Sequence, residues 1–171
     1  MKMDIYQATV PLFLRSLENL KGIIDKGIAF QEEREIAPEV LPNYRLAPDM
    51  LPLFAQIDVA GDMARACGAR LAGMEVPEWD KSDTHLPALK SRLEKTIAFL
   101  EPLKAEQFQG CEEREIVLEF PGITLNFNGM SYVRNYVTPN FYFHMTTAYN
   151  ILRMAGVAVG KADYLGDITS N

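Results

Sequence analysis

The segment PNFYFHMTTAYNILR, residues 139–153, combines the apolar spacing of a buried helix with polar side chains on its inward stripe. Spacings of seven, four and seven residues place four side chains on one face of a helix, namely Val133, Asn140, His144 and Ile151. An unpaired amide or imidazole inside a protein costs on the order of 1–3 kcal/mol. The sequence therefore predicts that Asn140 and His144 face inward and find hydrogen-bond partners.

The helix that contains this segment is predicted to run from residue 131 to 155, with Gly156 as its C-terminal stop. Pro139 lies inside this pattern. A proline pushes the preceding residue away from helical angles, so we expect a kink or a break near Thr138. Residues 157–171 are polar and glycine-containing, and we expect them to lie over the helices or to be frayed.

Three further segments keep the 3.6-residue period of an amphipathic helix. They span residues 4–28, 50–72 and, after a cap at residue 83 or 84, the chain to residue 103. Asp4 is a suitable N-cap for the first of them. Pro11 lies inside that first helix and is predicted to bend it or to leave its first turn irregular.

Residues 115–127 change to the two-residue alternation of β-strands. Pro121-Gly122 separates two such runs, which is typical of a hairpin turn. A two-stranded hairpin is only marginally stable alone, so we expect it to pack on the helices or to pair with a second subunit.

Four long amphipathic segments without βαβ alternation predict an all-α fold, an antiparallel four-helix bundle. The small β-hairpin is an insertion between the third and fourth long helices. With 171 residues and 48% apolar content, the chain is long enough for one core and is predicted to form a single domain over residues 1–171.

The charge pattern bears on the partners. A net charge of −6, a pI near 5.0 and 17 scattered Lys and Arg residues argue against a nucleic-acid partner or an anionic membrane. We find neither a secretory signal nor an apolar run of bilayer length, and we expect a cytoplasmic protein.

Cys67 and Cys111 have neither disulfide nor zinc-site spacing. Cys67 is predicted in the core and Cys111 at the surface.

Gln56 lies on or beside the core face of the second helix, so it could meet Asn140 and His144 if the second and last helices are neighbours. Three interpretations stay open for such a polar patch: an internal hydrogen-bonded network, a pocket for a small molecule, or a metal site. A lone histidine with two neutral amides is a poor ligand set for a transition metal. His85 is expected to be exposed in a first helical turn, and Trp79 to anchor a loop.

Several segments together resemble an uncharacterised bacterial family of the DinB/YfiT-like superfamily. These are LAPDMLPLFAQ (46–56), ARLAGMEVP (69–77), PNFYFHMTTAYNILR (139–153) and GVAVGKADYLG (156–166). The resemblance implies a DinB-like four-helix bundle that is often a homodimer. Better understood members resemble thiol-dependent enzymes, including bacillithiol S-transferases and mycothiol-dependent maleylpyruvate isomerase.

Those members bind a divalent metal through one histidine on the second helix and an HxxxH pair on the last helix. In this chain the last-helix pair falls on Asn140 and His144, and the second-helix position falls near Gln56. Only His144 carries over, as a general base or a single metal ligand, with Asn140 as a hydrogen-bond donor. The function expected is a thiol-dependent transferase or hydrolase with a small-molecule or degenerate metal site. The alternative is a non-catalytic binding or structural protein with a polar core.

Overall fold

The structure is a computed structural model that describes residues 4–169, and it is mostly helical with one small two-stranded antiparallel sheet. Short 3-10 turns join the longer elements. In chain order, the α-helices and β-strands are α1 (Val10–Glu33), α2 (Leu53–Leu71), α3 (Leu86–Leu100), β1 (Glu115–Phe120), β2 (Ile123–Asn128), α4 (Gly129–Ser131), α5 (Thr138–Met154) and α6 (Lys161–Leu165).

The first helix begins at Val10, six residues later than the predicted start at residue 4, and continues to Glu33. Pro11 explains the late start, because proline fits the first helical turn, where its missing N–H would be unpaired anyway. Asp4 still caps a turn, since its Oδ1 accepts a hydrogen bond from the Gln7 amide at 2.7 Å. The expected irregular first turn therefore occupies residues 5–9, before the helix.

Two pairs of neighbouring helices are antiparallel. Helices α1 and α3 are joined by an ion pair of 2.7 Å between Asp25 and Lys90. A second ion pair, nearer the N-terminus of α1, joins Lys21 to Glu94 at 3.8 Å. Helix α2 meets α5 and the turn before it through Gln56 with His144 and, further along α2, Arg70 with Tyr132. The descending numbers on the second helix of each pair give the antiparallel direction.

Two further neighbouring pairs are parallel, so the antiparallel arrangement predicted from the sequence holds for only some of the helix pairs. Helix α2 meets α3 through Asp58 with Arg92 and, further along both helices, Gly68 with Leu100. Helices α1 and α5 likewise run in the same direction, since they pair Phe13 with Phe141 and Gly27 with Leu152. The physical reason is the long connection over residues 72–85, which returns the chain to the end where α2 began.

The hairpin packs one apolar face on the helices. Cross-strand pairs join Ile116 to Phe127 and Leu118 to Leu125, and Gly122 takes a left-handed φ of 83° in the turn. Ile116 and Leu118 are each 5% exposed, so the base of this face is buried. Towards the turn the same face reaches solvent.

The predicted interruption of the last helix takes the form of a π-helical segment, Tyr132–Val137, directly before α5. Pro139 then lies in the first turn of α5, where its missing N–H is tolerated. The change from π-helix to α-helix occurs at Thr138, where the sequence predicts a break. A wider helical turn of this kind is often found at functional sites.

The buried apolar side chains of the long helices and of the hairpin form one continuous core. Cys67 belongs to it as predicted, but Cys111 is also fully buried, which corrects its predicted surface position. The Cys111 carbonyl packs directly on Gly129, so the loop that carries this cysteine is held against α4.

The C-terminal tail lies along α1 as far as Gly166, which packs beside Asn19. Asn19 donates a hydrogen bond of 3.1 Å to the Tyr164 carbonyl, and Lys26 pairs with Asp163 at 2.7 Å. Residues 170 and 171 lie outside the described residues. None of the helices between residues 4 and 169 has the combined length and apolarity that a bilayer span requires.

Candidate functional site

The candidate site lies where the first turn of α2 packs against the middle of α5. Gln56 is 1% exposed, and its side-chain Oε1 is 2.6 Å from Nδ1 of His144. The structure therefore brings together two of the three residues that the sequence singles out. Their meeting depends on α2 and α5 being neighbours, which is what the antiparallel contacts show.

The hydrogen bonds assign the proton on the imidazole. Gln56 Nε2 donates to the Leu51 carbonyl at 3.0 Å, so Oε1 is the atom that faces His144. A carbonyl oxygen can only accept, and His144 Nδ1 must donate. In the neutral ring the lone pair is then on Nε2, which makes no hydrogen bond to any residue between 4 and 169.

Burial lowers the pKa of His144 below its ordinary value, because desolvation disfavours the imidazolium. The His144 side chain is half-buried, and the exposed ring of Phe143 meets its ring edge to face with centroids 5.2 Å apart. The neutral form is favoured near neutral pH as a result. His144 thus offers an unprotonated Nε2 at the edge of the core.

Asn140 does not join this pair. Its Nδ2 donates to the Tyr136 carbonyl at 2.6 Å, within its own helical stretch. The residue lies on the same helical stripe as His144, as predicted, but its amide satisfies the backbone of the π-helical segment. Among the hydrogen bonds of the described residues, none joins Asn140 to Gln56 or His144.

A divalent metal, which the superfamily resemblance implies, does not fit these residues. Gln56 Oε1 already accepts from His144 Nδ1, and the amide of Asn140 is turned towards a backbone carbonyl. One imidazole nitrogen remains, whereas a transition metal needs several converging imidazoles or carboxylates. Within residues 4–169 no group of three His, Cys, Asp or Glu side chains could hold a metal ion.

Sequence reasoning missed a charged cluster on the opposite side of α2. Asp58 accepts hydrogen bonds from Arg92 at 2.8 and 3.2 Å, and Arg92 also donates to the Asp83 carbonyl. The two side chains are 10% and 7% exposed, so this ion pair is largely buried. A signal was present, because Arg92 is three residues after Leu89, which lies on the apolar stripe of α3.

The same cluster anchors the connection between α2 and α3. Trp79 donates from Nε1 to Thr96 Oγ1 at 3.1 Å, and the Arg65 guanidinium lies over its ring at 5.1 Å. Asp62 pairs with both Arg65 and Lys81. Trp79 is therefore a loop anchor, as predicted. His85, also as predicted, is exposed at the start of α3.

Two comparisons with known proteins find similar chains. A family model described as Domain of unknown function (DUF1993) matches residues 5–165. The chain is also similar to the crystal structure of a DinB family member protein from Shewanella denitrificans, with 38% sequence identity and a TM-score of 0.88. That match covers 98% of this chain and 94% of the other.

A comparison with curated proteins finds no match. The family match extends over nearly the whole chain, and the structural match has 38% identity over 98% of it. The resemblance to the DinB family is thereby confirmed, and the chain belongs to the family described as Domain of unknown function (DUF1993).

Proposed function

We propose that this chain is a DinB-like four-helix bundle, with a hairpin inserted between its third and fourth long helices, that binds a small molecule at His144. The ligand donates a hydrogen bond from a thiol or hydroxyl group to His144 Nε2. The observation that supports this proposal is the 2.6 Å contact between Gln56 Oε1 and His144 Nδ1, which leaves Nε2 as the free acceptor.

The same geometry supports proton transfer. A general base must be unprotonated at working pH and within hydrogen-bond reach of the proton that it removes. Burial keeps His144 neutral, and Gln56 fixes its tautomer. In a thiol-dependent transferase or hydrolase, the class that the superfamily suggests, Nε2 would take the proton from the thiol and leave a nucleophilic thiolate.

A second candidate is a non-catalytic role in which the polar groups only stabilise the core. This interpretation is favoured by the hydrogen bonds of Gln56 to Leu51 and of Asn140 to Tyr136, both of which end on backbone carbonyls. In that case His144 would matter for stability and for nothing else.

A pair of substitutions at one position separates the two candidates. His144→Asn places an amide N–H near the position of Nδ1, so it keeps a donor for Gln56 but removes the Nε2 acceptor. His144→Ala removes both groups. His85→Asn is the matched control, since His85 is exposed and its ring is 3.2 Å from Asp83.

The readout is the thermal shift that cysteine, glutathione and their hydroxyl analogues produce on each variant. We expect a ligand-induced rise in Tm for the natural chain and for His85→Asn, and its loss in both His144 variants, since a ligand of the folded state raises stability. A shift that survives in His144→Asn, or no shift with any compound, would contradict the proposed site.

The metal-free character of the proposal has its own test. Elemental analysis of untagged protein, prepared without chelators, is expected to show substoichiometric divalent metal. A full equivalent that is lost in His144→Asn would contradict it. The donor set predicts the first result, because His144 contributes a single nitrogen.

We further propose a cytoplasmic homodimer that associates through the hairpin. Ile123, at the turn of the hairpin, is 53% exposed, and Cys67 and Cys111 are free thiols, as in reducing compartments. Light scattering of Ile123→Asp is expected to show a monomer. Thr124→Asp, on the other face of the hairpin, should leave the mass of the dimer unchanged.

A further inference from the structure

A groove separate from the His144 site lies between α2 and the apolar face of the hairpin. Its volume is about 210 Å³. Arg65, the nearer of its two arginines, is nine residues after Gln56 on α2, or about 13 Å along the helix axis. Its lining includes Asp62, Arg65, Ala66, Arg70, Leu118 and Phe120.

Arg70 brings an uncompensated positive charge to this groove. Its Nη1 donates to the Tyr132 hydroxyl at 2.8 Å, but no carboxylate between residues 4 and 169 forms an ion pair with it. Burial raises the pKa of Tyr132 to about 12, so its hydroxyl is a neutral phenol at physiological pH. The charge of Arg70 is therefore available to a bound anion.

Arg65 adds a second cation that is only partly satisfied. It is 6% exposed and pairs with Asp62 at 2.8 Å, but Asp62 also pairs with Lys81. The Nε of Arg65 is buried and has no hydrogen-bond partner among the described residues. Its guanidinium lies over the ring of Trp79, so Arg65 adds positive charge at the edge of the groove. The groove thus holds two arginines and one shared carboxylate in a protein of net charge −6.

Most of the remaining lining of the groove is apolar. Ala66 is midway between Asp62 and Arg70 on one stripe of α2, and its small side chain leaves space above the helix. Leu118 and Phe120 form the opposite wall. An apolar cavity of about 150 Å³ can bind benzene, so this groove has room for a ring and a carboxylate.

We propose that this groove binds a small carboxylate with an apolar body, such as an aryl-substituted or short-chain alkyl acid. The carboxylate pairs with Arg70 on the side towards α2, in the planar geometry that guanidinium groups favour. The apolar body lies against Leu118 and Phe120. This site does not depend on the function proposed for His144.

The test uses phenylacetate and hexanoate as probes and phenylacetamide as the uncharged control. Binding is followed by two-dimensional amide NMR on the full chain, which reports both affinity and location. We expect saturable shifts around Arg70 and Phe120 with both acids and none with the amide. Arg70→Gln should weaken binding about tenfold or more, since a charge-assisted contact is lost.

Arg134→Gln is the matched control, because Arg134 is exposed and does not line the groove. It should leave the affinity unchanged. Phe120→Ala tests the apolar wall without touching Arg70, so it covers the case in which Arg70→Gln fails to fold. We expect weaker binding of phenylacetate to Phe120→Ala.

Three results would overturn the proposal. They are the absence of saturable shifts with either acid, equal binding of phenylacetamide, and unchanged affinity in both Arg70→Gln and Phe120→Ala. A change of molecular mass in solution with Arg70→Gln, without any binding of the acids, would show instead that the groove is an interface between two copies of the chain. None of these outcomes bears on His144.

Discussion

Helix α2 meets its two neighbours with different polar chemistry. Towards α5 it presents the neutral pair of Gln56 and His144. Towards α3 it presents a charged cluster built on Asp58 and Arg92. Both assemblies are largely buried, yet they differ in what they leave unsatisfied.

The charged assembly is closed at its centre, because Arg92 divides its hydrogen bonds between Asp58 and a backbone carbonyl. Desolvated charges persist only when they are paired in this way. The neutral assembly costs less to bury and ends on a free imidazole nitrogen. In this protein the buried ion pair of Asp58 and Arg92 therefore has a structural role, and the neutral pair of Gln56 and His144 marks the candidate site.

The largest expected effect comes from breaking the charged side. Asp58→Ala leaves Arg92 buried without its carboxylate, and removing one partner of a buried pair costs about 3–5 kcal/mol. Denaturant unfolding measures this loss. Asp25→Ala breaks the exposed pair with Lys90 and should change the free energy of unfolding by less than about 1 kcal/mol. Equal effects would mean that the Asp58 pair is not a buried structural element.

A second prediction concerns how closely α2 and α3 pack. A Cβ on Gly68 would lie 2.5 Å from Leu100 Cδ2 and 3.0 Å from Leu103 Cδ1. Gly68→Ala is therefore expected to destabilise the fold by about 2–3 kcal/mol through overpacking.

The control for that substitution is Gly22→Ala in α1. A Cβ there meets nothing within 4 Å, so the change should stabilise the protein by up to about 1 kcal/mol through helix propensity alone. Thermal unfolding of both variants gives the comparison. If Gly68→Ala were as stable as Gly22→Ala, the close parallel approach of α2 and α3 would be wrong.

On the neutral side, Gln56→Leu removes two hydrogen bonds, one to His144 and one to the Leu51 carbonyl. We expect a loss of about 2 kcal/mol in the free energy of unfolding, measured with denaturant. Gln109→Leu replaces an exposed glutamine and should change it by less than about 0.5 kcal/mol. An unchanged free energy of unfolding in Gln56→Leu would show that the pair contributes little to stability.

The smallest expected effect is a pH dependence. Because the folded pKa of His144 lies below its ordinary value near 6.5, the unfolded chain binds more protons between the two values. The contribution of His144 to the free energy of unfolding is therefore fully present above the unfolded pKa. It decreases as the pH is lowered from that value through the folded pKa. The slope should disappear in His144→Asn, and NMR titration should give a folded pKa under 6.5. A raised pKa would exclude the neutral base.

Much of the fold, and the burial of the site residues, follows from local sequence patterns. The apolar periodicity predicted the long helices, the inward direction of His144 and the core position of Gln56. Their ends were less well predicted. Pro11 delayed α1, and Asp83 caps the turn before α3 through the His85 amide.

The site could be predicted only in part. That Gln56 would meet His144 required α2 and α5 to be neighbours, and no local pattern states which helices are adjacent. Asn140 was on the correct stripe, but its amide found a nearer acceptor in the Tyr136 carbonyl. The Asp58–Arg92 pair was missed because its two residues lie on different helices, 34 positions apart, and no local pattern brings them together.

The amphipathic pattern was sufficient to establish which faces are buried, since side-chain direction along a helix depends on spacing alone. The direction of each helix, the parallel approach of α2 to α3 and the pairing of Gln56 with His144 depended on the packed chain. These features arise from contacts between residues that are far apart in the sequence. Asp58 and Arg92 are 34 positions apart, and Gln56 and His144 are 88 positions apart, so no single segment determines these interactions.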